Sequence, residues 1–286
     1  MEAPSGLERR VVGALVKRWF GDRRASLAEV PFEYEFEPVA FRGNNGARLA
    51  ARWFPLERAR GTVVLAHPDK RHGQHWFVRS GWIRFLQAAG YQALTFDFPM
   101  YGHSRGGSTY LHDDVLAAVE WTKTRAPRVP THVVGLSLGA FAAANASPYL
   151  TGVDSLILES PYPSFNSWFG RGPQRWAMDF FDHVFPRTAR RIQAHLNVAD
   201  AKPSRILIAA TSDDAVTPVH LTRAVAAGAP PERTTYLEVD GAAHLEILAS
   251  SEKYRGAVLA TLAGTTRPDE RRPITEPGLL APLTGR

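Results

Sequence analysis

Two serines of the 286-residue chain stand in the pattern Gly-x-Ser-x-Gly. One is Ser104, in Gly102-His103-Ser104-Arg105-Gly106, and the other is Ser137, in Gly135-Leu136-Ser137-Leu138-Gly139. Flanking glycines let a serine sit on a sharp strand-to-helix turn, because they carry no Cβ to clash there. That context separates the two copies. Ser137 follows THVV, a β-rich run, and precedes AFAAAN, a run of small residues suited to a helix packed close to a sheet. Ser104 follows Pro99 and runs into Gly106-Gly107, where no helix starts. Ser137 is therefore the candidate nucleophile, and Ser104 reads as a loop residue.

A serine hydroxyl is a weak nucleophile. It needs a base, and the base needs an orienting carboxylate. Two later segments offer them: ATSDDAVTP, with Asp213 and Asp214, and DGAAHLE, with His244. The order along the chain is serine, acid, histidine, with 77 residues from Ser137 to Asp214 and 30 more to His244. Asp214 is preferred to Asp213 because of its spacing to Val216 and Pro218, where the next helix begins; Asp213 then caps or faces solvent. Glu159 is a weaker alternative acid. An acyl-transfer site also needs two N–H groups for the developing oxyanion. One belongs to the residue after the nucleophile, Leu138, and the other to the loop AHPDK that starts at Ala66.

These residues must be held by a sheet. Strand-like runs occur at 34–41, 47–54, 61–66, 91–97, 131–136, 154–159, 205–210 and 234–239. The last six are apolar on both faces, as buried parallel strands are. Helical patterns at 76–89, 111–125, 138–149, 218–227 and 246–263 alternate with them, which predicts a doubly wound, mostly parallel α/β sheet of eight strands with flanking helices. The first two strands alternate in polarity and predict an antiparallel edge hairpin around residues 43–46. Both candidate loops then leave carboxyl ends of strands, where ligands bind in open α/β sheets.

The gap at 161–204 is too long for a simple crossover and reads as a small helical cap. Tyr162, Phe165, Trp168, Phe169, Trp176, Phe180, Phe181 and Phe185 crowd its first half, a third of 24 residues against 10% aromatic residues overall. They predict packing of the cap on the body and an apolar wall over the nucleophile. Phe165, Trp168 and Phe169, with His67 and Trp76 near the oxyanion loop, are the candidates for lining a substrate pocket. His67, His72, His75 and His103 show no recurring ligand spacing, so no metal and no cofactor is expected.

The hydrophobic fraction of 44% and charged fraction of 22% suit a globular protein with a substantial core. The absence of cysteine removes disulfides, thiolate metal sites and thiol nucleophiles. The net charge of +6 comes without a basic block or a nucleic-acid-binding motif. Instead, residues 1–60 hold 11 bases against 8 acids and residues 161–205 hold 7 against 3, leaving the rest nearly neutral. Residues 1–30 read as an N-terminal arm, and the spacing over 7–20 predicts an amphipathic helix. It is suited to packing on the body or a second copy, or to an anionic lipid surface. Residues 31–264 form the main domain, and 265–286, rich in Pro, Gly and Arg, read as a tail. No signal peptide and no run of about 18 apolar residues is visible, so the expected location is cytoplasmic.

Taken in order, VVLAHPD, LTFDFPMYGHS, VVGLSLG, LESPYPS, ILIAATSDDAVTP and VDGAAH make the sequence resemble an α/β-hydrolase of the ABHD type, over about residues 34–264. That group contains esterases, lipases and serine-peptidase-like hydrolases. The resemblance implies the α/β-hydrolase fold, a Ser137–His244–Asp214 triad and an oxyanion hole formed by the N–H groups of Leu138 and Asp69. Two departures stand out. His67-Pro68 replaces the usual His-Gly; proline has no N–H, so the donor is the Asp69 amide, and the Asp69 carboxylate has to point away from the oxyanion. The loop D-x-R-G-x-G-x-S appears as Asp97-Phe98-Pro99-Met100-Tyr101-Gly102-His103-Ser104, without its Arg-Gly pair.

The resemblance implies cleavage of small-molecule carboxylic esters with an apolar acyl or aromatic part, through an acyl-enzyme on Ser137. Serine at 137 sets the chain apart from haloalkane dehalogenase and epoxide hydrolase relatives, which carry aspartate there, and from dienelactone hydrolase relatives, which carry cysteine. Peptide or thioester cleavage and acyl transfer on the same triad are the alternatives. A non-catalytic binding protein that kept the fold is a third.

Overall fold

The computed structural model describes residues 34–43, 46–70, 72–106, 110–169 and 175–265, apart from some side chains between 169 and 188. The predicted helix at 7–20 and the tail beyond Thr265 lie outside the described residues, as do Asn44 and Asn45 of the predicted hairpin turn. The strands are β1 (Glu37–Arg42), β2 (Arg48–Phe54), β3 (Gly61–Ala66), β4 (Tyr91–Phe96), β5 (Thr131–Leu136), β6 (Ser155–Glu159), β7 (Arg205–Thr211) and β8 (Thr234–Val239). They form one sheet in the order β1-β2-β4-β3-β5-β6-β7-β8. The β1–β2 and β2–β4 pairs are antiparallel, and every other neighbouring pair is parallel.

The register aligns the strand ends that matter. Ala66 of β3 pairs with Gly135 of β5, Leu136 with Glu159 of β6, Glu159 with Ala209 of β7, and Thr211 with Val239 of β8. The loops that follow β3, β5, β6, β7 and β8 therefore leave along one edge. Strand order reverses at β3, since β4 lies on one side and β5 on the other. That switch point opens a crevice at the carboxyl ends of β3 and β5.

Helices cover both faces. They are α1 (Trp76–Arg79), α2 (Trp82–Ala88), α3 (Leu111–Arg125), α4 (Leu138–Ala146), α5 (Phe165–Phe169), α6 (Arg175–Val184), α7 (Pro186–Arg191), α8 (Ala194–Asn197), α9 (Val219–Gly228), α10 (Ile247–Ser250) and α11 (Glu252–Ala263). Successive side chains of β3 serve opposite faces, as a strand's period of two requires. Val64 and Ala66 pack with α3, α4 and the segment after β6, whereas Val63 and Leu65 pack with α2 and α11.

Two expected helices are broken. The 76–89 segment divides at Ser80-Gly81, where the Ser80 hydroxyl donates to the Trp76 carbonyl at 2.7 Å and Gly81 takes φ +81°. The 246–263 segment divides at Ser251, whose hydroxyl accepts the Tyr254 N–H at 3.1 Å and caps α11. The left-handed Gly81 makes the first break and the capping Ser251 hydroxyl starts a new helix at the second, local features that apolar periodicity does not register. Among the described residues no helix is long and apolar enough to cross a membrane.

Candidate active site

Ser137 occupies the single residue between β5 and α4, with φ +51° and ψ −110°. That is a strained conformation for a residue with a Cβ. Two glycines make it feasible. A Cβ on Gly135 would lie 2.5 Å from the Gly139 carbonyl oxygen, and one on Gly139 would lie 1.9 Å from the Ala66 carbonyl oxygen. The pattern around Ser137 thus reflects two backbone approaches, strand to helix and helix to the end of β3. The second brings the start of α4 against the oxyanion loop. Leu138 is the first residue of α4, where a helix leaves N–H groups without intrahelical acceptors. The Ser137 N–H itself donates to the Glu159 carbonyl at 2.8 Å, which ties the turn to β6.

His244 comes from the loop after β8. Its Nε2 lies 3.2 Å from Ser137 Oγ, and its Nδ1 lies 2.7 Å from Asp214 Oδ2. The carboxylate selects the tautomer: Nδ1–H donates to Asp214, leaving the Nε2 lone pair to accept the Ser137 hydroxyl. Asp214 is almost fully buried. Its Oδ1 accepts the N–H groups of Val216 (2.9 Å) and Thr217 (2.6 Å), and Oδ2 also accepts the Ser160 hydroxyl at 2.9 Å. Burial alone pushes this carboxyl up. The hydrogen bond and charge of His244, the Thr217 N–H and the Ser160 hydroxyl outweigh it, so the group lies below the ordinary carboxylate range and is ionised at neutral pH.

The other acids have other places. Asp213 is exposed and accepts the Gly241 N–H at 2.9 Å, which ties the acid loop to the histidine loop. Glu159 is fully buried, and among the described residues no hydrogen bond of good geometry reaches either of its oxygens. Ser104 is buried away from His244; its hydroxyl donates to the Asp97 carbonyl (2.6 Å) and accepts the Ala50 N–H (2.8 Å), a tie between loop and β2.

The oxyanion loop holds a contact that sequence reasoning missed. The Tyr101 hydroxyl donates to Asp69 Oδ1. His67, expected at the pocket, instead supports this loop from inside. It is fully buried, with Nδ1 2.8 Å from the Pro68 carbonyl and Nε2 accepting the Phe98 N–H at 3.1 Å. With both ring nitrogens engaged within the protein, it has none to offer a substrate. Burial lowers its proton affinity, against smaller opposing effects of Asp97, the Pro68 carbonyl and Asp69.

The aromatic candidates divide. Phe165 packs against Phe141 of α4 with ring centroids 4.7 Å apart, and Tyr162 stacks between Phe141 (4.7 Å) and Trp168 (5.3 Å). Trp168 Nε1 donates to the Val216 carbonyl at 3.1 Å, which joins this group to the acid loop. Phe169 ends α5, and its side chain lies outside the described residues. Trp76 is not part of this group. It packs on the sheet face that carries Phe77 and Trp82, beneath the Lys70 ammonium at 5.6 Å. Among the described residues no three His, Asp or Glu side chains converge as a metal-ligand set.

A serine raised on a strand-to-helix turn and met by a histidine from the loop after the last strand is how the α/β-hydrolase fold builds its site, and this chain has that fold. The chain belongs to the family described as serine aminopeptidase, S33, which matches residues 57–201. It is similar to the lysophosphatidylserine lipase ABHD12 of Rattus norvegicus, with 32% identity over 167 residues covering 53% of this chain and 41% of that protein. The match to the Danio rerio protein of the same name is 35% over 122 residues, covering 39% and 31%. The matched stretches are thus less than half the length of those relatives. Among solved structures, the Pyrococcus furiosus esterase Pf2001 superposes with a TM-score of 0.65 at 19% identity, covering 84% of this chain and 96% of that one. The α/β-hydrolase GrgF from Penicillium sp. sh18 gives 0.66 at 14%, covering 81% and 99%. At these identities the likeness is one of fold.

Proposed function

We propose that this protein hydrolyses carboxylic esters with an apolar acyl or aromatic part, through an acyl-enzyme on Ser137. The observation that carries the reading is the unbroken hydrogen-bond chain from Asp214 through His244 to Ser137. His244 Nε2 takes the proton as Ser137 Oγ attacks the ester carbonyl. The N–H groups of Leu138 and Asp69 receive the oxyanion. His244 then returns the proton to the leaving alcohol, and water attacks the acyl-enzyme with His244 again as base. Trp168, half-buried and backed by the buried Tyr162 and Phe165, offers the acyl or aromatic part an apolar surface beside α4. The ABHD12 relatives are lysophosphatidylserine lipases, which supports a lipid ester as the substrate class.

The test is hydrolysis of p-nitrophenyl esters of increasing acyl length by wild type and Ser137→Ala, together with fluorophosphonate labelling. The expected result is labelled wild type, unlabelled Ser137→Ala and loss of turnover. Equal rates for the two proteins overturn the proposal. The family description, a serine aminopeptidase, favours amide cleavage as the second reading. Matched ester, thioester and amide leaving groups on one acyl chain separate the two.

A further inference from the structure

β6 ends in Glu159, and the next residue, Ser160, touches the site from below. The Glu159 carbonyl accepts the Ser137 N–H at 2.8 Å, and the Ser160 hydroxyl donates to Asp214 Oδ2 at 2.9 Å. Two adjacent residues therefore hold the nucleophile's backbone and the acid's side chain. Asp214 Oδ2 is also the oxygen that receives His244 Nδ1–H, at 2.7 Å. Ser160 is fully buried, and its N–H donates to the Ala209 carbonyl of β7 at 2.8 Å.

The backbone at Ser160 takes φ +52°. Glycine adopts that region freely, whereas a residue with a Cβ is strained there. A serine at such a position has to contribute something glycine lacks, and its only polar side-chain atom points at Asp214. The remaining Asp214 oxygen, Oδ1, is held by the N–H groups of Val216 and Thr217. Ser160 supplies the contact on the other oxygen and so pins the plane of the carboxylate. It also shares the charge that His244 meets. A carboxylate oxygen that accepts two donors attracts an imidazolium less strongly than one that accepts a single donor.

We infer that Ser160 is a positioning residue for ester cleavage, acting through Asp214 to fix the orientation and basicity of His244. The inference rests on the triad reading proposed above. Two variants separate hydroxyl from backbone: Ser160→Ala removes the hydroxyl and keeps the strain, while Ser160→Gly removes both. Each is measured for kcat and KM across pH and for Tm, with Ser137→Ala in the same series. In both Ser160 variants kcat falls about tenfold with KM little changed, as expected for an interaction that matters in the transition state. The acid limb of the kcat/KM profile moves up by about half a pH unit, because His244 holds its proton more tightly without the competing donor. Ser160→Gly is also the variant expected to fold if the alanine protein does not, since it relieves the backbone. Wild-type kcat with an unmoved limb in Ser160→Gly overturns the inference. So does a loss confined to Tm. If Ser137→Ala keeps wild-type turnover, the triad reading itself has failed. If Ser137→Ala is inactive and Ser160→Gly behaves as wild type, only the role of Ser160 has failed.

Discussion

The Tyr101 hydroxyl donates to the Asp69 carboxylate, so the acid that stands in the oxyanion loop is turned toward the loop after β4. A carboxylate beside a developing oxyanion is costly because like charges repel strongly where water is excluded. Tyr101→Phe removes the hydroxyl and keeps the ring that packs against His67 at 4.6 Å. The variant is expected to lose about tenfold in kcat, roughly 1.4 kcal/mol of transition-state stabilisation, with little change in Tm. Asp69→Asn in the Tyr101→Phe background should recover part of the loss. Steady-state kinetics on one ester series checks this, and an undiminished kcat in Tyr101→Phe would show that the Asp69 charge does not reach the oxyanion.

Asp213 and Asp214 are neighbours with different work. Asp214→Asn is expected to lower kcat on the order of a thousandfold, because an amide no longer selects the His244 tautomer. Asp213→Asn removes only the exposed charge that meets the Gly241 N–H and should stay within about threefold of wild type. Comparable losses in the two variants would contradict the assignment.

Gly139 is a packing requirement as much as a motif residue. A Cβ there meets the Ala66 carbonyl oxygen at 1.9 Å and the His67 carbonyl oxygen at 2.8 Å, and both atoms are backbone. Gly139→Ala must push α4 off the end of β3, at a cost of more than about 3 kcal/mol. Gly256→Ala, on α11 with open space around it, should stabilise by about 0.5–1 kcal/mol. Thermal or urea unfolding of the pair tests the contrast, and similar stabilities would refute it.

Glu159 makes stability depend on pH. Burial pushes its carboxyl from 4.5 up to about 7; the facing Tyr254 hydroxyl opposes the rise and the Asp214 charge adds to it. The folded state therefore binds this proton more tightly than the unfolded state. Its contribution is complete below about pH 4.5 and is lost as pH rises through 7, a span worth about 3 kcal/mol. Glu159→Gln stays neutral throughout. The Tm of this variant minus that of wild type should increase from pH 5 to pH 8. A difference independent of pH would show that the Glu159 carboxyl has the same proton affinity in the folded and the unfolded chain.

Much of this protein is written locally. The central strands β3 to β7 are legible because residues such as Val63, Val64 and Leu65 are apolar on both faces, whereas β8, expected to be buried like them, is only partly buried at the sheet edge. The Gly-Leu-Ser-Leu-Gly turn is legible because only glycine tolerates the approaches at 135 and 139. The order serine, acid, histidine then follows from which loops leave carboxyl strand ends. What the sequence could not determine depends on contacts between distant segments. Spacing favours Asp214 over its chemically identical neighbour Asp213, but only the path of the acid loop turns one inward to His244 and leaves the other at the surface. His67 looks like a pocket residue until the Phe98 N–H, 31 residues away, occupies its Nε2. Ser160 and Asp214 are 54 residues apart, and Tyr101 and Asp69 are 32 apart. Pattern and propensity describe a residue and its near neighbours, whereas a hydrogen bond between loops exists only after the strands have paired and set the register of their ends.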